Sequence, residues 1–574
     1  MANDPPRESD GNTRKHKRTR SDVIEISSDE DDDPRKLADQ HRSKIASRNS
    51  SSIPSAPSSS KAQSVLQNKS ERYKLEYERL ARQRARELAS NPSGPSSPAS
   101  PAITPSIQPP TEPSVSQSET FQYYWNSTIK VTFNDWYPDC PNALRIEDII
   151  GPKDRIKMVL VSSYVLELPW IHKLFNPRTR IMVIRHHTDC GSFKVNERAN
   201  MFLCHPPMLK TANGNARPGC MHIKFFIIFY DTFCRVAIPT ANAVSFDYEI
   251  VENAVWIQDF RRFDGNTIGY NSRRPDEVPP FRKTLDDLLD RMGVPLPFRK
   301  PLEDHDFRTA AANLVVSVQG DHSANSPPFG QMRLAKELKT LGLQSGPGTG
   351  RTASLECQGS SIGSYDLKWL NNFYRCASGS LPTAGLPEPD LQTDSSTSPF
   401  SVLYPSLHTV RNSKSGKAGA GTLFCNKATW EKANFPKHIF ADTMSKRAGV
   451  LMHVKMILGL FTSDSSSEST SSTVNTSTGK PDRGDEQINK DHIGFLYIGS
   501  HNFTPAAWGK FTSKKTGSRE STLLEISNWE LGVVLPVKSH AQIEEYVTWQ
   551  RPPKPYGHRG KDSSIPWMQF SHGR

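Results

Sequence analysis

Several features that are common in other proteins are missing from this sequence of 574 residues. Its eight cysteines include no C-x-x-C pair, and their scatter through apolar segments indicates reduced thiols rather than a disulfide framework. No stretch approaches the roughly 18 uninterrupted apolar residues of a membrane span, and the N-terminus lacks the apolar core of a signal peptide. We therefore expect a soluble intracellular protein.

Acidic residues are in deficit, so the formal net charge is +12 at pH 7. The first 120 residues hold 19 Lys and Arg against 17 Asp and Glu, which leaves 53 against 43 for the remainder. The basic excess therefore belongs to the folded body. It suits a polyanionic partner, either nucleic acid or an anionic membrane surface.

The first 120 residues are rich in Ser, Pro, Arg and acidic residues. They cannot bury enough apolar surface to fold, so residues 1–120 are predicted to be a disordered tail. The basic cluster Arg14–Arg18 fits a nuclear import signal and hence a nuclear location, although solvated charge gives the same pattern. Val23–Ile26, followed by serines and acids, fits a SUMO-interacting motif that adds a strand to a partner's sheet; a chance apolar patch is the alternative.

From residue 121 onward, strand-like runs alternate with helical patterns. IKMVLVSSYV, MHIKFFIIFY, EIVENAVWIQDF and ANLVVSVQG are β-branched and aromatic. TLDDLLDRMG has apolar residues at helical spacing, with Thr284 as a cap. Such alternation predicts α/β layers. A boundary inside SGPGTGRT gives two domains of ordinary size, 121–348 and 349–574.

A polar triplet in the first half is repeated in the second half. In each half a His-x-Lys pair precedes an apolar run, and a later strand ends in Asn. The separation from His to Asn is 20 residues in the first half and 49 in the second. The surplus nearly equals the 28-residue polar tract 463–490, which we interpret as a low-complexity surface insertion. Packing alone does not require such a repeat. The triplets are His222, Lys224 and Asn242, and His453, Lys455 and Asn502.

The residue types of the two triplets suit phosphodiester chemistry. Residues two apart in a strand project from the same face, so each pair presents an imidazole beside an ammonium group. If the half-sites meet at a domain interface, the cations and amides can stabilise five-coordinate phosphorus. One imidazole can attack phosphorus while the other protonates the leaving oxygen and later activates water.

Neither triplet has a pair of carboxylates beside it in the sequence, so we expect chemistry without a metal or a cofactor, and resistance to chelators. RHHTDC, with His186, His187 and Cys190, invites a metal interpretation, as do Cys204 and His205. Their spacing is not that of regular zinc ligands, which makes zinc the less favoured interpretation.

With these motifs the sequence resembles the phospholipase D superfamily and, within it, the tyrosyl-DNA phosphodiesterase family. The superfamily usually places Asp five residues after each motif Lys, and here those positions are Phe229 and Leu460. Loss of both Asp residues with retention of Asn is typical of tyrosyl-DNA phosphodiesterases. SHNFTPAAWG, NWELGVVLP, SSIGSYDLKWL and PYGHRGKDSSIPW extend the resemblance. It implies two similar α-β-α sandwich domains related by pseudo-two-fold symmetry.

The resemblance also implies roles for the matching residues. His222 would be the nucleophile that takes a DNA 3′-phosphate into a phosphohistidine and expels the tyrosine of a trapped topoisomerase I peptide. His453 would be the general acid for the phenolate and then the base for the hydrolytic water. The phosphate clamp would consist of Lys224, Lys455, Asn242 and Asn502.

Five further positions match residues that support the site in the family. Glu530 would orient a site histidine and fix its tautomer, and Asn253 stands where the family often has Gln. Ser361, Ser364 and Ser500 would bind substrate, the first two close to an apparent helix start that favours anions. The partner would be single-stranded or nicked double-stranded DNA with a 3′ adduct, and we expect a monomer without membrane attachment.

Two alternatives stay open at this point. A phospholipase D-type lipase or nuclease would share the doubled motif, although the missing Asp pair disfavours it. A non-catalytic repair adaptor would bind DNA through the basic body and SUMO through Val23–Ile26. Intact triplets in both halves disfavour that second alternative.

Overall fold

A computed structural model gives the fold of the chain. The described residues all belong to one compact unit, Ser58–Arg574. The predicted tail at 1–120, with its basic cluster and SUMO-interacting motif, lies outside the described residues, and so does the insertion beyond Ser463. The structure describes residues 121–187, 190–195, 198–263, 278–323, 328–382, 398–463, 491–516 and 519–568.

Strands and helices alternate along the described chain, which confirms the predicted α/β class. The strands are β1 Thr128–Thr132, β2 Ala143–Leu144, β3 Ile156–Ser163, β4 Arg180–Arg185, β5 Gly191–Lys194, β6 Met201–His205, β7 Phe225–Tyr230, β8 Phe233–Pro239, β9 Ala254–Arg261, β10 Asn313–Ser317, β11 Gly320–Ser323, β12 Arg351–Gln358, β13 Phe400–Tyr404, β14 Phe440–Asp442, β15 Met456–Ser463, β16 Gly494–Gly499, β17 Lys510–Thr516, β18 Arg519–Ile526, β19 Glu530–Val537 and β20 Lys554–Pro555. The helices are α1 Ile146–Ile150, α2 Leu168–Leu174, α3 Ser245–Glu249, α4 Pro280–Arg291, α5 Leu296–Arg299, α6 Gly330–Thr340, α7 Leu367–Ala377, α8 Leu407–Arg411, α9 Gly416–Gly419, α10 Lys427–Trp430, α11 Pro505–Trp508 and α12 His540–Tyr546.

Two large mixed sheets repeat one topology. The first has the order β2-β1-β9-β8-β7-β3-β4-β6-β5, and the second has the order β10-β19-β16-β15-β12-β13-β14-β20. The series β1-β9-β8-β7-β3-β4-β6 and β10-β19-β16-β15-β12-β13-β14 match strand for strand. In both, four antiparallel pairings are followed by two parallel ones. The internal repeat inferred from the triplets is therefore a repeat of whole sheets.

The division between the sheets does not fall at the predicted boundary of 348 and 349. β10 pairs with β19 in the second sheet, although ANLVVSVQG was assigned to the first domain. The first sheet ends with β9 and the second begins with β10, so the chain changes sheets between Arg261 and Asn313. The Gly-rich turn marks a loop before β12 rather than the change of sheet, because glycine composition identifies turns without specifying which sheet they connect.

Two element predictions differ from the structure in detail. Helix α4 begins at Pro280 rather than near Thr284, because proline suits the first helical position, where its missing N–H costs no hydrogen bond. Only the part of EIVENAVWIQDF from Ala254 onward is a strand, whereas Ser245–Glu249 just before it is helix α3. That helix carries Asp247, whose carboxylate contacts His453.

The inserted tract leaves the second sheet at a hairpin. In the first sheet β7 and β8 are joined by Asp231 and Thr232 alone. The equivalent strands β15 and β16 pair as far as Leu460 and Gly494, and the chain between them carries the tract. Its attachment point is thus at the end of the hairpin away from Lys455.

Apolar side chains of both sheets meet in one core. Ile227 of β7, Leu458 of β15 and Val533 of β19 are all buried members of the same cluster. A charged link also crosses between the sheets: Arg447 Nε donates to Glu252 Oε2 at 2.6 Å, and Arg447 Nη1 donates to the carbonyl of Thr132 at 2.9 Å. The two halves therefore share buried surface rather than meeting only at their edges.

We predict that Arg447→Ala destabilises the protein by about 3–5 kcal/mol, because it leaves the Glu252 carboxylate buried without its cation. The free energy of unfolding in urea measures this. Arg262→Ala is the control, since its pair with Asp304 is about half exposed on both sides, and it should cost at most about 1 kcal/mol. Equal effects of the two substitutions would contradict the assignment.

Candidate active site

The two His-x-Lys pairs lie in extended segments that lead directly into β7 and β15. Both lysines are completely buried. Lys224 Nζ donates to the carbonyl of His222 at 2.9 Å, and Lys455 Nζ donates to the carbonyl of His453. Each ammonium group is therefore held beside its own histidine, as the spacing predicted, through a bond to the main chain.

Each histidine segment is paired with the other half of the molecule. The His222 N–H donates to the carbonyl of Trp529 at 2.9 Å, and the Trp529 N–H donates to the carbonyl of Cys220 at 2.9 Å. In the same way the His453 N–H donates to the carbonyl of Glu252 at 2.8 Å. Both contacts belong to short parallel bridges. The His222 segment is thus bonded to Trp529, next to Glu530, and the His453 segment is bonded to Glu252, next to Asn253. These bonds bring the two half-sites together.

A second set of contacts repeats around the site. The Ser500 hydroxyl donates to Glu530 Oε2 at 2.6 Å and accepts from the Leu531 N–H at 2.9 Å. At the equivalent place, the Thr240 hydroxyl donates to Asn253 Oδ1 at 2.8 Å and accepts from the Ala254 N–H at 3.1 Å. Asn253 is therefore the counterpart of Glu530 in the repeat.

Glu530 contacts the first histidine. Its Oε2 lies 2.8 Å from His222 Nδ1, and its Oε1 accepts from Asn528 Nδ2 at 3.0 Å. Burial alone would raise the pKa of Glu530, but the facing His222 outweighs it and the pKa falls to about 2. The ionised carboxylate accepts the Nδ1–H, which leaves the lone pair of His222 on Nε2.

The second histidine is held by a carboxylate that the sequence analysis missed. Asp247 Oδ2, on α3, lies 3.1 Å from His453 Nδ1 and also accepts the Asn242 N–H at 2.6 Å. Burial would raise the pKa of Asp247, but the facing His453 and Lys455 lower it. The sequence does contain a signal for this carboxylate. Asp247 lies five residues after Asn242, whereas the equivalent position five residues after Asn502 is the apolar Ala507, so the repeat does not require an acid there.

Burial controls the protonation of the site. It lowers the pKa of His222, and Glu530 opposes that effect. It lowers the pKa of His453 to about 4 and that of Lys224 to about 8. Burial and the nearby Lys224 also place the pKa of Lys455 well below its usual value. Burial therefore favours the neutral form of both imidazoles and makes the positive charge of the lysines costly, which is a setting that favours an anionic ligand.

The two asparagines stand at the ends of β8 and β16, as predicted. Asn502 Oδ1 accepts from the N–H groups of Ser360 and Ser361 at 3.0 and 3.1 Å. Asn242 Oδ1 accepts from the Val165 N–H at 3.4 Å. With each oxygen turned to the protein, the amide nitrogen is the group that can donate to a phosphate oxygen.

Comparison with known proteins agrees with this geometry. The sequence model of the family described as tyrosyl-DNA phosphodiesterase matches residues 128–565. The chain belongs to the tyrosyl-DNA phosphodiesterase family. It is 25% identical to tyrosyl-DNA phosphodiesterase 1 of Arabidopsis thaliana over 443 residues, which is 73% of this chain and 64% of that protein. It is 24% identical to the Drosophila melanogaster protein of the same name over 54% of this chain and 49% of that one. The chain thus spans less than two thirds of these relatives.

Solved structures of yeast tyrosyl-DNA phosphodiesterase share the fold. One superposes with a TM-score of 0.50 at 17% identity, covering 75% of this chain and 98% of the yeast chain. A structure of a mutant of the yeast protein gives a TM-score of 0.52 at 16% identity, over 77% of this chain and 100% of that one. The predicted phospholipase D-like fold is thereby confirmed.

The other residues predicted from the tyrosyl-DNA phosphodiesterase resemblance differ in how they relate to the two histidines. Asn253 reaches the site only indirectly, by donating to the main-chain carbonyl of Asp247 at 2.9 Å. Ser500 is fully buried and donates to Glu530, so it faces the carboxylate rather than a substrate. Ser364 Oγ accepts from Lys432 Nζ at 2.9 Å, and Ser361 is partly exposed. Ser361 and Ser364 stay candidates for backbone phosphate contacts near the start of α7.

The surroundings of the first histidine add a residue that was not predicted. The ring of Tyr164 packs edge-on against His222 with centroids 5.5 Å apart. Close by, His186 Nδ1 accepts the Met221 N–H at 3.3 Å, while His187 and His205 stack at 4.3 Å. Among the residues the structure describes, no group of three or more His, Cys, Asp or Glu could hold a metal ion. Within the described part of RHHTDC, His186 thus contacts the segment that carries His222.

We predict that the His453 imidazole titrates near pH 4 because burial lowers its pKa, and that Asp247→Asn lowers it further, since the carboxylate raises it. NMR of ¹³C-labelled histidine measures both values. His305 is an internal control: burial lowers its pKa to about 4 as well, and it lies outside the site. A rise for His453 in the variant, or an equal shift of His305, would contradict the contact.

Proposed function

We propose that this protein hydrolyses the 3′-phosphotyrosyl bond between DNA and a topoisomerase I-derived peptide, and with it other 3′ blocking groups, in DNA repair. One observation carries the proposal: two imidazoles, each with Nδ1 on a buried carboxylate, stand beside two buried lysines. The names of the relatives given above support the same class of substrate.

The first step is attack by His222. Glu530 accepts the Nδ1–H, so the Nε2 lone pair is free to attack phosphorus. The P–Nε2 bond forms as the bond from phosphorus to the tyrosine oxygen breaks, and the phenolate takes a proton from Nε2 of His453. An anionic phosphodiester between the lysines raises the pKa of His453, which allows it to carry that proton.

The second step returns the enzyme to its starting state. Neutral His453 removes a proton from water, the water oxygen bonds to phosphorus, and the P–Nε2 bond of His222 breaks. The products are a DNA 3′-phosphate and a neutral His222. Asp247 stabilises the protonated His453 that this step generates, just as Glu530 stabilises the positive charge on phosphorylated His222.

Phosphate charge is met by the clamp residues. Lys224 and Lys455 supply positive charge in a site without bulk water, where it acts most strongly, and the Asn242 and Asn502 amides add donors. The DNA backbone would be contacted on the second half by Ser361, Ser364 and Lys432. This arrangement fits single-stranded or nicked DNA, whose 3′ end can enter a buried site.

The remaining predictions concern the context of the enzyme. Arg14–Arg18 supports a nuclear location, and Val23–Ile26 supports binding of SUMO or SUMO-modified proteins. We expect a monomer. In the described part of the chain, no helix has the length and apolarity to cross a bilayer.

We predict that the wild type converts a 3′-phosphotyrosyl oligonucleotide to the 3′-phosphate in excess EDTA. His222→Ala should abolish conversion because it removes the nucleophile. His453→Ala should accumulate a covalent adduct, because the base for hydrolysis is lost. Single-turnover gels measure all three, with His540→Ala, an exposed histidine of α12, as the control. Loss of activity in EDTA, or full activity of His222→Ala, would overturn the mechanism.

The two carboxylates should affect the two steps differently. Glu530→Gln is expected to slow adduct formation, whereas Asp247→Asn is expected to slow adduct formation and also to prolong the adduct's lifetime, because His453 acts in both steps. The losses should approach the roughly 10⁴-fold seen when a catalytic histidine loses the carboxylate that fixes its tautomer. Quenched-flow measurement of adduct against time distinguishes these outcomes. If Asp247→Asn left the adduct's lifetime unchanged, the assignment of the carboxylates would be wrong.

A further inference from the structure

One buried histidine near the site takes no part in the proposed chemistry. His501 stands between Ser500 and Asn502 and is 1% exposed. Its counterpart in the first half, between Thr240 and Asn242, is Ala241. The repeat therefore does not require an imidazole here, and the second half alone carries one.

Both ring nitrogens of His501 are engaged, and the chain of hydrogen bonds has one direction. The Ser317 hydroxyl donates to the carbonyl of Ala507 at 2.6 Å. Having used its proton, Ser317 Oγ accepts from His501 Nε2 at 2.8 Å. His501 Nδ1 must then accept from the hydroxyl of Tyr497, which it contacts. The imidazole is thus a neutral single tautomer that links β16 to β10.

Packing holds the same ring in place. The imidazole of His501 lies against the indole of Trp508 with centroids 4.3 Å apart. Tyr497, its donor, occupies a niche made by two glycines, since a Cβ at either Gly499 or Gly532 would collide with the Tyr497 hydroxyl oxygen. The donor is therefore fixed by backbone that has no room for a side chain.

The residues on either side of His501 make the contacts that shape the nucleophile's half-site. Ser500 donates to the Glu530 oxygen that faces His222. Asn502 Oδ1 accepts from the Ser360 and Ser361 N–H groups, which leaves its amide nitrogen as the group that can donate to a ligand oxygen. A rotation of this turn would move Glu530 and Asn502 together.

We propose that His501, through Tyr497 and Ser317, is a positioning residue that sets the turn 500–502 and thereby the alignment of Glu530 with His222. The inference rests on the proposed function. It predicts a selective effect, because His453 is held by Asp247, which lies on α3 of the first half rather than on this turn. Loss of His501 should slow adduct formation more than adduct breakdown.

The test measures both steps by single-turnover quenched flow with a 3′-phosphotyrosyl oligonucleotide. His501→Ala should slow adduct formation by about 10- to 100-fold, the range expected from small misplacements of reacting groups. Tyr497→Phe removes only one hydroxyl and should give a smaller loss of the same kind. His501→Gln keeps an N–H that can reach Ser317 and should recover part of the rate. His305→Gln, another buried histidine, is the control for stability alone.

Equal slowing of both steps, or no slowing in folded His501→Ala and Tyr497→Phe, would overturn the inference. A second readout is independent of turnover. Because contact with Glu530 raises the pKa of His222, a loosened contact in His501→Ala should lower that pKa in an NMR titration, while His305→Gln should not. If the wild type fails to cleave the oligonucleotide, the proposed function is wrong, and this titration still decides the positioning role.

Discussion

Two ammonium groups buried at one point are the constraint on which this structure depends. Lys224 and Lys455 are fully buried, and Lys224 helps to lower the pKa of Lys455. The negative charges of two buried carboxylates, Glu530 and Asp247, oppose that effect by raising the pKa of both lysines. Each carboxylate also contacts one histidine. Positive charge that is buried in this way favours an anionic ligand, which can neutralise it.

The two halves of the repeat are joined at the site by contacts that each makes with the other. Each His-x-Lys segment bonds through its main chain to the opposite half, His222 to Trp529 and His453 to Glu252. Each half supplies one imidazole, one lysine and one carboxylate, and each carboxylate contacts the histidine of the other half. A shared apolar core and the buried hydrogen bond from Arg447 to Glu252 hold the two halves together in the arrangement that these contacts require.

The two carboxylates do not occupy equivalent positions in the two halves, although the sheets match. The position of Glu530 in the second half corresponds to Asn253 in the first, through the matching contacts of Ser500 and Thr240. The first half supplies its carboxylate instead from α3, at Asp247. The two histidines thus have the same kind of partner, a buried carboxylate, on different structural elements.

Much of the fold and part of the site were accessible from the sequence. Strand runs, the repeated triplets and the insertion are properties of local pattern, and the α/β class with two matching sheets followed from them. The sheet to which β10 belongs was not accessible, because strand pairing between distant segments depends on the whole topology rather than on local composition. The chain therefore passes from the first sheet to the second before it reaches the glycine-rich turn that was predicted to be the domain boundary.

The site shows the same limit at the level of single residues. The sequence by itself determined which imidazoles, lysines and asparagines are repeated, since residue identity and spacing are enough to recognise them. Only the tertiary structure decided their partners: Asp247 rather than Asn253 for His453, Glu530 rather than a substrate for Ser500, and Tyr497 with Ser317 for His501. A hydrogen bond depends on a distance within a few tenths of an ångström, and folding sets that distance between residues that the sequence places up to hundreds of positions apart.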